Sequence, residues 1–255
     1  MYHIATSKPV ARATSVTLSS LGTSLRIVLI SDIHVAGPDM SPARVERIVD
    51  QTNALRPDVV LIAGDFVSDK SVATRHYSVA DAVAPLARLK PRLAVVAVLG
   101  NHDHWRDAAD TRRELQRIGV RVLDNDAVEI GPLTILGVDD PFTGNDNLSM
   151  ALDRARAMPG PRILLSHSPD VFPQVPADIG LTLAGHTHCG QIRLPLIGAL
   201  STLSAYGDRY ACGRVDENGR TLVVTAGLGT SLLPLRLGAV PDLWVIELRP
   251  ATARD

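Results

Sequence analysis

Five short polar motifs contain the residue types that could do chemistry in this chain, and each follows an apolar run. The first, at residues 31–34 (SDIH), places the carboxylate of Asp32 two residues before the imidazole of His34. In an extended chain this spacing points both side chains the same way, toward one bound cation. The motif alone is weak evidence, because polar residues after a strand most often form an exposed turn.

The second and third motifs add oxygen ligands. Gly64 lets the backbone turn sharply before Asp65, whose carboxylate could then project from a sheet edge and bridge two cations through its two oxygens. A turn or a helix cap would use the same two residues. Residues 100–103 (GNHD) place the amide oxygen of Asn101 beside the imidazole of His102, and this longer run is harder to attribute to chance. From this motif onward a functional site is the better interpretation.

The last two motifs supply histidines. His167 follows an apolar run, and His186 and His188 repeat the two-residue spacing of the first motif. A structural role would explain any one of them, but five of the eight histidines lie in the motifs, which packing alone explains poorly. Imidazole, carboxylate and amide ligands without thiolates suit Mn, Fe, Zn or similar ions rather than a cysteine-based structural zinc site.

Short apolar runs rich in branched residues predict the strands that position these motifs. Runs at 25–30, 59–63 and 93–99 are typical of strands buried on both faces. Amphipathic segments at 42–55 and 79–87 predict helices between them. This alternation predicts right-handed crossovers and a parallel sheet, whose strand ends share the edge at which ligands bind.

The second half of the chain predicts a further sheet packed on the first. Neither an internal repeat nor a linker divides the sequence, so we expect a single domain over 1–255, with 1–24 as an N-terminal extension or edge strand. The apolar runs that predict the further strands lie at residues 133–138, 162–166, 181–184, 222–225 and 243–248.

Composition limits the class of protein. The 255 residues are 45% hydrophobic and 21% charged, as in ordinary globular proteins. With 26 basic and 27 acidic residues the net charge is −1, which gives no broad positive field for a nucleic acid. A nuclease is therefore disfavoured, and we expect no nucleic-acid partner.

The two cysteines and the N-terminus bear on location. Cys189 and Cys212 are too few for a secreted disulfide framework, and we expect two free thiols in a reducing compartment. Residues 1–24 lack the pattern of a signal peptide, and no apolar stretch reaches the roughly 18 residues of a membrane span. These features predict a cytoplasmic protein without stable membrane insertion.

In order and spacing, the five motifs resemble those of the calcineurin-like metallophosphoesterase superfamily: D-x-H, G-D, G-N-H-D/E, H and G-H-x-H. Residues 186–192 (HTHCGQI) and 227–231 (GLGTS), with Arg236 downstream, resemble its YkuE-like bacterial branch more closely. The resemblance spans about residues 25–248 and implies an α/β fold of four layers, α/β/β/α. Two mixed sheets would be flanked by helices, with the metal site at the carboxyl ends of the strands. Cys189, where this branch has glycine, and the lack of a secretion signal or anchor depart from the pattern.

The resemblance also implies a role for each motif residue and two divalent or mixed-valence metal ions. Two cations about 3.5–4 Å apart would lower the pKa of a bound water and hold the hydroxide in line with phosphorus. A histidine side chain that titrates near neutral pH could protonate the leaving oxygen. The implied assignments are Asp32, His34 and His188 on one metal, Asn101, His167 and His186 on the other, Asp65 bridging them, and His102 as the catalytic residue.

The expected substrate is a small-molecule phosphate ester, with nucleotide-linked and lipid-like esters as candidates, cleaved at a phosphodiester or pyrophosphate bond, with phosphomonoesters as a second activity. Family analogy leaves three alternatives open: a cyclic-nucleotide phosphodiesterase, an enzyme like UDP-2,3-diacylglucosamine pyrophosphatase, and a non-catalytic metal-binding scaffold.

Other residues have weaker claims to a functional role. The apolar stretches 194–197 and 232–235 could line a cleft for an acyl or aryl group, but core or a dimer face is the favoured interpretation. Asp103 could orient an imidazole or cap a helix. Arg236 could bind a phosphate oxygen or lie exposed on the surface. Outside the ligand set, we expect His3, His76 and His104 to be solvated or packed.

Overall fold

The computed structural model describes residues 1–251. Within this range the principal strands form two six-stranded sheets. They are β1 (Val10–Leu18), β2 (Leu25–Ile30), β3 (Val59–Ala63), β4 (Ala94–Val98), β5 (Arg121–Val122), β6 (Asp126–Ile130), β7 (Leu133–Val138), β8 (Arg162–Ser166), β9 (Ile179–Ala184), β10 (Gly213–Glu217), β11 (Arg220–Val224) and β12 (Asp242–Pro250).

Both sheets are mixed, with a parallel centre. In the first sheet the strand order is β1-β12-β2-β3-β4-β5, and only the β12–β2 pair is antiparallel. In the second the order is β10-β11-β9-β8-β7-β6, with antiparallel pairs at its two edges. The central strands β2, β3, β4, β8 and β9 therefore point their carboxyl ends the same way within each sheet, and the sequence predicts this for β2, β3 and β4.

Helices cover the outer face of each sheet. The α-helices are α1 (Tyr2–Ala5), α2 (Pro42–Ala54), α3 (Val79–Val83), α4 (Asn101–Arg117) and α5 (Leu148–Ala155). The α2 helix begins where expected, because Ser41 accepts a hydrogen bond from the Arg44 amide and Pro42 occupies the first turn. The predicted second helix is shorter than expected. Pro85 lacks an amide hydrogen, and the chain continues from α3 as a 3₁₀ helix, Ala84–Arg88.

Side-chain alternation along the strands builds three apolar layers. Ile27 and Leu29 of β2 point between the sheets, where they share one core with Ile163 and Leu165 of β8. Val28, on the opposite face, belongs to a second core under α2 to α4. A third core lies between the second sheet and α5. The structure thus confirms the four-layer α/β/β/α fold with two mixed sheets.

Shorter elements connect these layers. The two-residue strands Ala36–Gly37 and Arg75–His76 pair with each other, and so do Arg193–Leu194 and Gly198–Ala199. Further 3₁₀ helices are Pro169–Gln174, His188–Gly190 and Gly207–Tyr210. Among residues 1–251, no helix combines the length and the apolar character needed to cross a bilayer.

Candidate metal centre

All seven candidate ligands lie in the loops and helix starts that follow the carboxyl ends of central strands, at the edge where the two sheets meet. Each of them is at most 3% exposed. They are Asp32 and His34 after β2, Asp65 after β3, Asn101 after β4, His167 after β8, and His186 and His188 after β9.

The first cluster consists of Asp32, His34 and His188. The Nε2 atoms of His34 and His188 face each other at 3.0 Å, and His188 Nε2 lies 3.4 Å from Asp32 Oδ1. Candidate ligand atoms of the three residues lie within 4.8 Å of one another, close enough to hold one ion. The structure therefore brings together the three residues that the family pattern assigns to one metal.

The second cluster surrounds the amide oxygen of Asn101. His167 Nε2 and His186 Nδ1 lie 3.1 and 3.0 Å from Asn101 Oδ1. The Asp65 carboxylate connects the clusters, because Asp65 Oδ2 is 3.3 Å from His167 Nε2 and 3.4 Å from His34 Nε2. One carboxylate thus lies between two groups of ligands, as a bridging ligand requires.

The backbone of this region is not extended, contrary to the geometry expected for the first motif. Asp32 and His34 have φ angles of 51° and 49°, in the left-handed region that residues other than glycine rarely occupy. Asp65, His186 and His188 share this conformation. Such strain is typical of functional sites, where the surrounding structure holds it in place. The side chains of Asp32 and His34 converge because of these turns rather than through strand alternation.

The loops after β3 and β4 approach each other so closely beside Asp65 that only glycine fits at position 64. Gly64 has φ 84°, and a Cβ atom there would lie 2.6 Å from the amide nitrogen of Gly100. Asp103 fixes the same contact by accepting hydrogen bonds from the amides of Asp65, at 2.8 Å, and Gly100, at 3.0 Å. Asp103 therefore caps α4 from within its first turn and holds the loop after β3. The alternative role as an imidazole partner is wrong.

The histidines of the second cluster are held in the orientation that binds metals. His167 Nδ1 lies 2.6 Å from the carbonyl of Ala63, and His186 Nε2 lies 3.2 Å from that of Leu203. Because a carbonyl only accepts, each of these nitrogens carries a proton, and the opposite nitrogen, which faces Asn101, is the one available to bind a metal. Outer hydrogen bonds of this kind fix ligating histidines in metalloproteins. The donor set therefore fits a metal ion.

Burial and charge set the protonation states of the first cluster. Burial raises the pKa of Asp32 to about 6, which a nearby cation would oppose by favouring the carboxylate. Burial also acts to raise the pKa of Asp65, but the charge of His167 and its hydrogen bond to the carboxylate outweigh burial and hold that pKa well below its usual range. Burial lowers the pKa values of His34 and His188 far below normal, which keeps both imidazoles neutral.

His102 lies beside the clusters, with two partners that the sequence analysis missed. Its Nδ1 contacts the carboxylate of Asp69, and its Nε2 lies 3.3 Å from the hydroxyl of Ser231. Its backbone amide donates to Asp65 Oδ1 at 2.9 Å. Ligand atoms of His34, Asp65 and His102 also lie within 4.8 Å of one another. The catalytic assignment of His102 thus rests on the family pattern and on the contact with Asp69.

Arg236 neither contacts solvent nor points into the site, so both expectations for it are wrong. Its guanidinium is completely buried and donates to the carbonyls of Ala226, at 2.7 Å, and Ala239, at 3.3 Å. Its Nη2 lies 3.2 Å from His188 Nδ1, and its charge helps to lower the pKa of that imidazole. Arg236 therefore supports the loop beneath the first cluster.

His104 packs against a carboxylate near the site, whereas His3 and His76 are exposed. His104 Nε2 lies 2.8 Å from Asp139 Oδ1. This hydrogen bond raises the pKa of His104, although burial opposes it. The expectation of packed or solvated side chains holds for all three histidines.

The cysteines are not free thiols. Cys189 and Cys212 form a disulfide with a Cα–Cα distance of 4.7 Å, within the range that a disulfide spans. The hydroxyl of Thr187 donates to the carbonyl of Ala211 at 2.7 Å, so the two segments meet at adjacent positions. The loop after β9 folds back onto the start of β10. Cys189 and Cys212 are 23 residues apart in the sequence, and this spacing gives no sign of their contact. The prediction of free thiols is therefore wrong.

An apolar rim, defined as segments 194–206 and 231–235, borders the first cluster. Leu196 is fully exposed, and Ile197 and Leu232 are about 70% exposed, so assignment of these stretches to the core is wrong. On the other side of the site the exposed rings of Trp105 and Phe142 lie 4.9 Å from the ring of His102 and 4.8 Å from that of His186, respectively. The candidate centre is thus a buried polar cluster between two apolar walls.

Comparisons with known proteins agree with this geometry. Residues 25–190 match the family described as calcineurin-like phosphoesterase. The chain is 33% identical over 247 residues to "Transmembrane protein with metallophosphoesterase domain" of Danio rerio, covering 89% of this chain and 54% of that protein. It is 30% identical over 241 residues to "Uncharacterized metallophosphoesterase YkuE" of Bacillus subtilis, covering 88% and 79%.

The compared proteins differ from this chain in length and in sequence. The chain spans about half the length of its Danio rerio and Bos taurus relatives, 54% in each case. Among solved structures, it is similar to an archaeal phosphodiesterase with a TM-score of 0.42 and 15% sequence identity. That similarity covers 80% of this chain and 84% of the archaeal one.

Proposed function

The chain belongs to the calcineurin-like phosphoesterase family, within its YkuE-like branch, and we propose that it hydrolyses phosphodiester or pyrophosphate bonds with two bound metal ions. Phosphomonoesters would be a second class of substrate. The observation that carries the proposal is the carboxylate of Asp65, which lies between two buried groups of nitrogen and oxygen donors. Family membership alone gives a metal-dependent hydrolase, and this shared carboxylate supports a centre with two ions.

The two clusters would hold the ions in the division that the family pattern implies. Asp32, His34 and His188 would hold one ion, and Asn101, His167 and His186 would hold the other. When bound, the pair of ions would activate a water molecule and neutralise charge on the phosphoryl oxygens. Nitrogen and oxygen ligands of this kind accept Mn, Fe, Zn and related ions.

His102 would act on the leaving group. Its Nδ1 proton is donated to Asp69, which fixes the orientation of the ring. In this scheme a second proton is held on Nε2, which faces Ser231. This proton can pass to the leaving oxygen. Asp69 is a positioning residue in this scheme, because it acts only through His102.

Metal removal and reconstitution test the proposal directly. The purified protein would be treated with chelator, then loaded separately with Mn, Fe, Zn or Ni and assayed with aryl phosphodiesters, phosphomonoesters and nucleotide pyrophosphates. We expect the chelated protein to be inactive and at least one ion to restore diester hydrolysis. Full activity in a metal-free sample would overturn the proposal, whereas inactivity with every ion would identify a non-catalytic scaffold.

A cyclic-nucleotide phosphodiesterase is the second candidate, because the aromatic wall offers a surface for a planar base. The rings of Trp105 and Phe142 lie 6.1 Å apart at the mouth of the site, and both are about half exposed. Stacking on such rings is a common way to bind a base. A marked preference for cyclic nucleotides over simple aryl diesters in the same panel would favour this candidate.

The cytoplasmic location stays a prediction. It rested partly on free thiols, and the disulfide removes that support. Fractionation of the producing cells, with the redox state of Cys189 and Cys212 measured in each fraction, would test it.

A further inference from the structure

The apolar rim encloses a pocket that opens beside the candidate metal centre. Its volume is about 240 Å³, and it shares Thr187 and His188 with the loop that carries the first cluster. The side chains of Leu200, Leu203 and Leu233 form much of its remaining wall. Pockets for whole drug-sized ligands measure roughly 300–1,000 Å³. This pocket therefore suits one part of a substrate whose phosphate lies at the metal centre.

The chemistry of the rim favours an uncharged, apolar group. Neither segment 194–206 nor segment 231–235 contains a charged residue, so neither offers an ionic partner to a polar ligand. Leu203 is 49% exposed and Leu233 is 44% exposed although both line the pocket. Exposed apolar surface that is continuous with a candidate active site is typical of a ligand-binding groove.

Hydrogen bonds connect the pocket walls to the catalytic groups. The side-chain amide of Gln191 donates to the carbonyl of Leu233 at 3.0 Å and accepts from the amide of Ser231 at 3.0 Å. The Leu203 carbonyl accepts from His186, and the Ser231 hydroxyl contacts His102. A group held between these walls is therefore positioned relative to both metal clusters.

We propose that this pocket binds the aliphatic chain of a lipid-like phosphate ester, with the ester phosphate at the metal centre. The inference rests on the proposed phosphoesterase function and adds a substrate class to it. Binding of the chain would cover Leu203 and Leu233, whose exposure the fold itself does not explain. The phosphate would meet the ligands of the first cluster at the inner end of the pocket.

A homologous series of diesters tests the inference. Protein loaded with the ion that gives the highest activity would be assayed with 4-nitrophenyl methyl, butyl and hexyl phosphodiesters below their micelle concentrations. Each buried methylene contributes an affinity gain of roughly threefold to fourfold. We expect kcat/KM to rise at least about tenfold from the methyl to the hexyl ester, mainly through a lower KM.

Two variants show whether the dependence of kcat/KM on chain length arises in the pocket. Leu233→Gln changes the pocket wall and should reduce the hexyl-to-methyl ratio of kcat/KM to nearly one. Leu196→Gln is the matched control, since Leu196 lies on the same rim, is fully exposed and does not line the pocket. It should keep the ratio of the unmodified protein. Because the ratio is internal to each variant, a general loss of folded protein does not change it.

The outcomes separate this inference from the function on which it rests. Hydrolysis of all diesters with no dependence on chain length would overturn the aliphatic pocket and leave the phosphoesterase function intact. The same flat result together with a dimer that Leu196→Gln dissociates would identify a second copy of the chain as the occupant. Absence of hydrolysis for every ester would contradict the proposed function itself.

Discussion

The metal-ligand cluster and the apolar rim reverse the usual distribution of polar and apolar side chains. Asp65 and His188 in the cluster are almost completely buried, whereas Leu196 and Leu232 on the adjoining rim are mostly exposed. Buried polar groups are costly unless they are partnered, and exposed apolar groups gain nothing from the fold. Neither region contributes to stability as an ordinary core or surface does, and both are better explained by a ligand.

The two regions differ in how firmly the fold determines them. Each candidate ligand follows a central strand of one of the sheets, and glycines and Asp103 leave the loops little freedom. The rim consists of connecting segments, in which the side chain of Gln191 holds segment 231–235 and Asp170 holds Ser204 and Ala205. We therefore expect substitutions in the cluster to abolish the reaction and substitutions in the rim to change the choice of substrate.

The largest effect is expected for Asp65→Ala. This change removes the carboxylate shared by both clusters, so both ions should be lost together with activity. Changes to groups outside the ligand set typically cost about 10- to 100-fold in metal affinity, and loss of a shared ligand should exceed that. Metal content of the purified variant, measured by elemental analysis, checks the prediction. Retention of both ions would show that Asp65 does not bridge them.

His102→Ala should separate catalysis from metal binding. A general acid typically contributes roughly 10²- to 10⁴-fold, so turnover should fall by that amount while metal content stays normal. His104→Ala is the matched control, because His104 lies on the same helix and contacts Asp139 rather than the cluster. It should retain most of its turnover. Unchanged turnover in His102→Ala would remove the catalytic assignment, and loss of one ion would make His102 a ligand.

The sequence predicted the central strands well because they are uninterrupted branched apolar runs. The strands at 25–30, 59–63, 133–138 and 162–166 have the predicted bounds. The edge strand Asp126–Ile130 was missed, since it alternates polar and apolar residues and is partly exposed. A strand buried on both faces gives a stronger sequence signal than an edge strand does.

The same distinction applies to the site. The seven candidate ligands were found because each follows a predictable strand, although their binding of metal stays a proposal. Asp69 and Ser231 were missed because they reach His102 through loops whose return path no local pattern reveals. The Cys189–Cys212 pair was missed for that reason too. Contacts made by long connections depend on the packed structure rather than on sequence spacing.

Removal of the disulfide tests whether the loop after β9 depends on a covalent link for its stability. In the chain-entropy description, closing a loop of this size contributes about 3 kcal/mol to the free energy of unfolding. Cys212→Ser should lower stability by up to this amount, and reduction of the unmodified protein should do the same. Denaturant titration with and without reductant provides the measurement. An unchanged unfolding midpoint would mean that Thr187 and its partner hold the loop unaided.

Asp69→Asn should have a moderate effect that is confined to turnover. Asparagine keeps an oxygen that can accept from His102 Nδ1 but loses the negative charge, so we expect kcat to fall roughly tenfold with little change in KM. Asp69→Ala, which removes the acceptor as well, should lose more. Metal content should be normal in both variants. A change in KM alone would instead place Asp69 in substrate binding.

The smallest effect is expected for the pair of His104 and Asp139, which lies outside both regions. The hydrogen bond to Asp139 raises the pKa of His104 above its ordinary value, with burial acting against it. Burial acts to raise the pKa of Asp139, but the hydrogen bond from His104 outweighs burial and lowers that pKa. The stabilising effect of a raised histidine pKa is fully present below the ordinary value of about 6.5 and is lost as pH rises through the raised value.

For Asp139 the sign is opposite, since the contribution of a lowered carboxyl pKa is lost only as pH falls through that value. The pair should therefore stabilise the fold most between about pH 4 and pH 6.5. His104→Gln should lower the free energy of unfolding by about 1 kcal/mol or less in that window, and by less at pH 9. His76→Gln, at an exposed position, is the matched control for loss of a histidine side chain. A difference that grows toward pH 9 would mean that His104 stabilises the fold as a neutral side chain, through packing rather than charge.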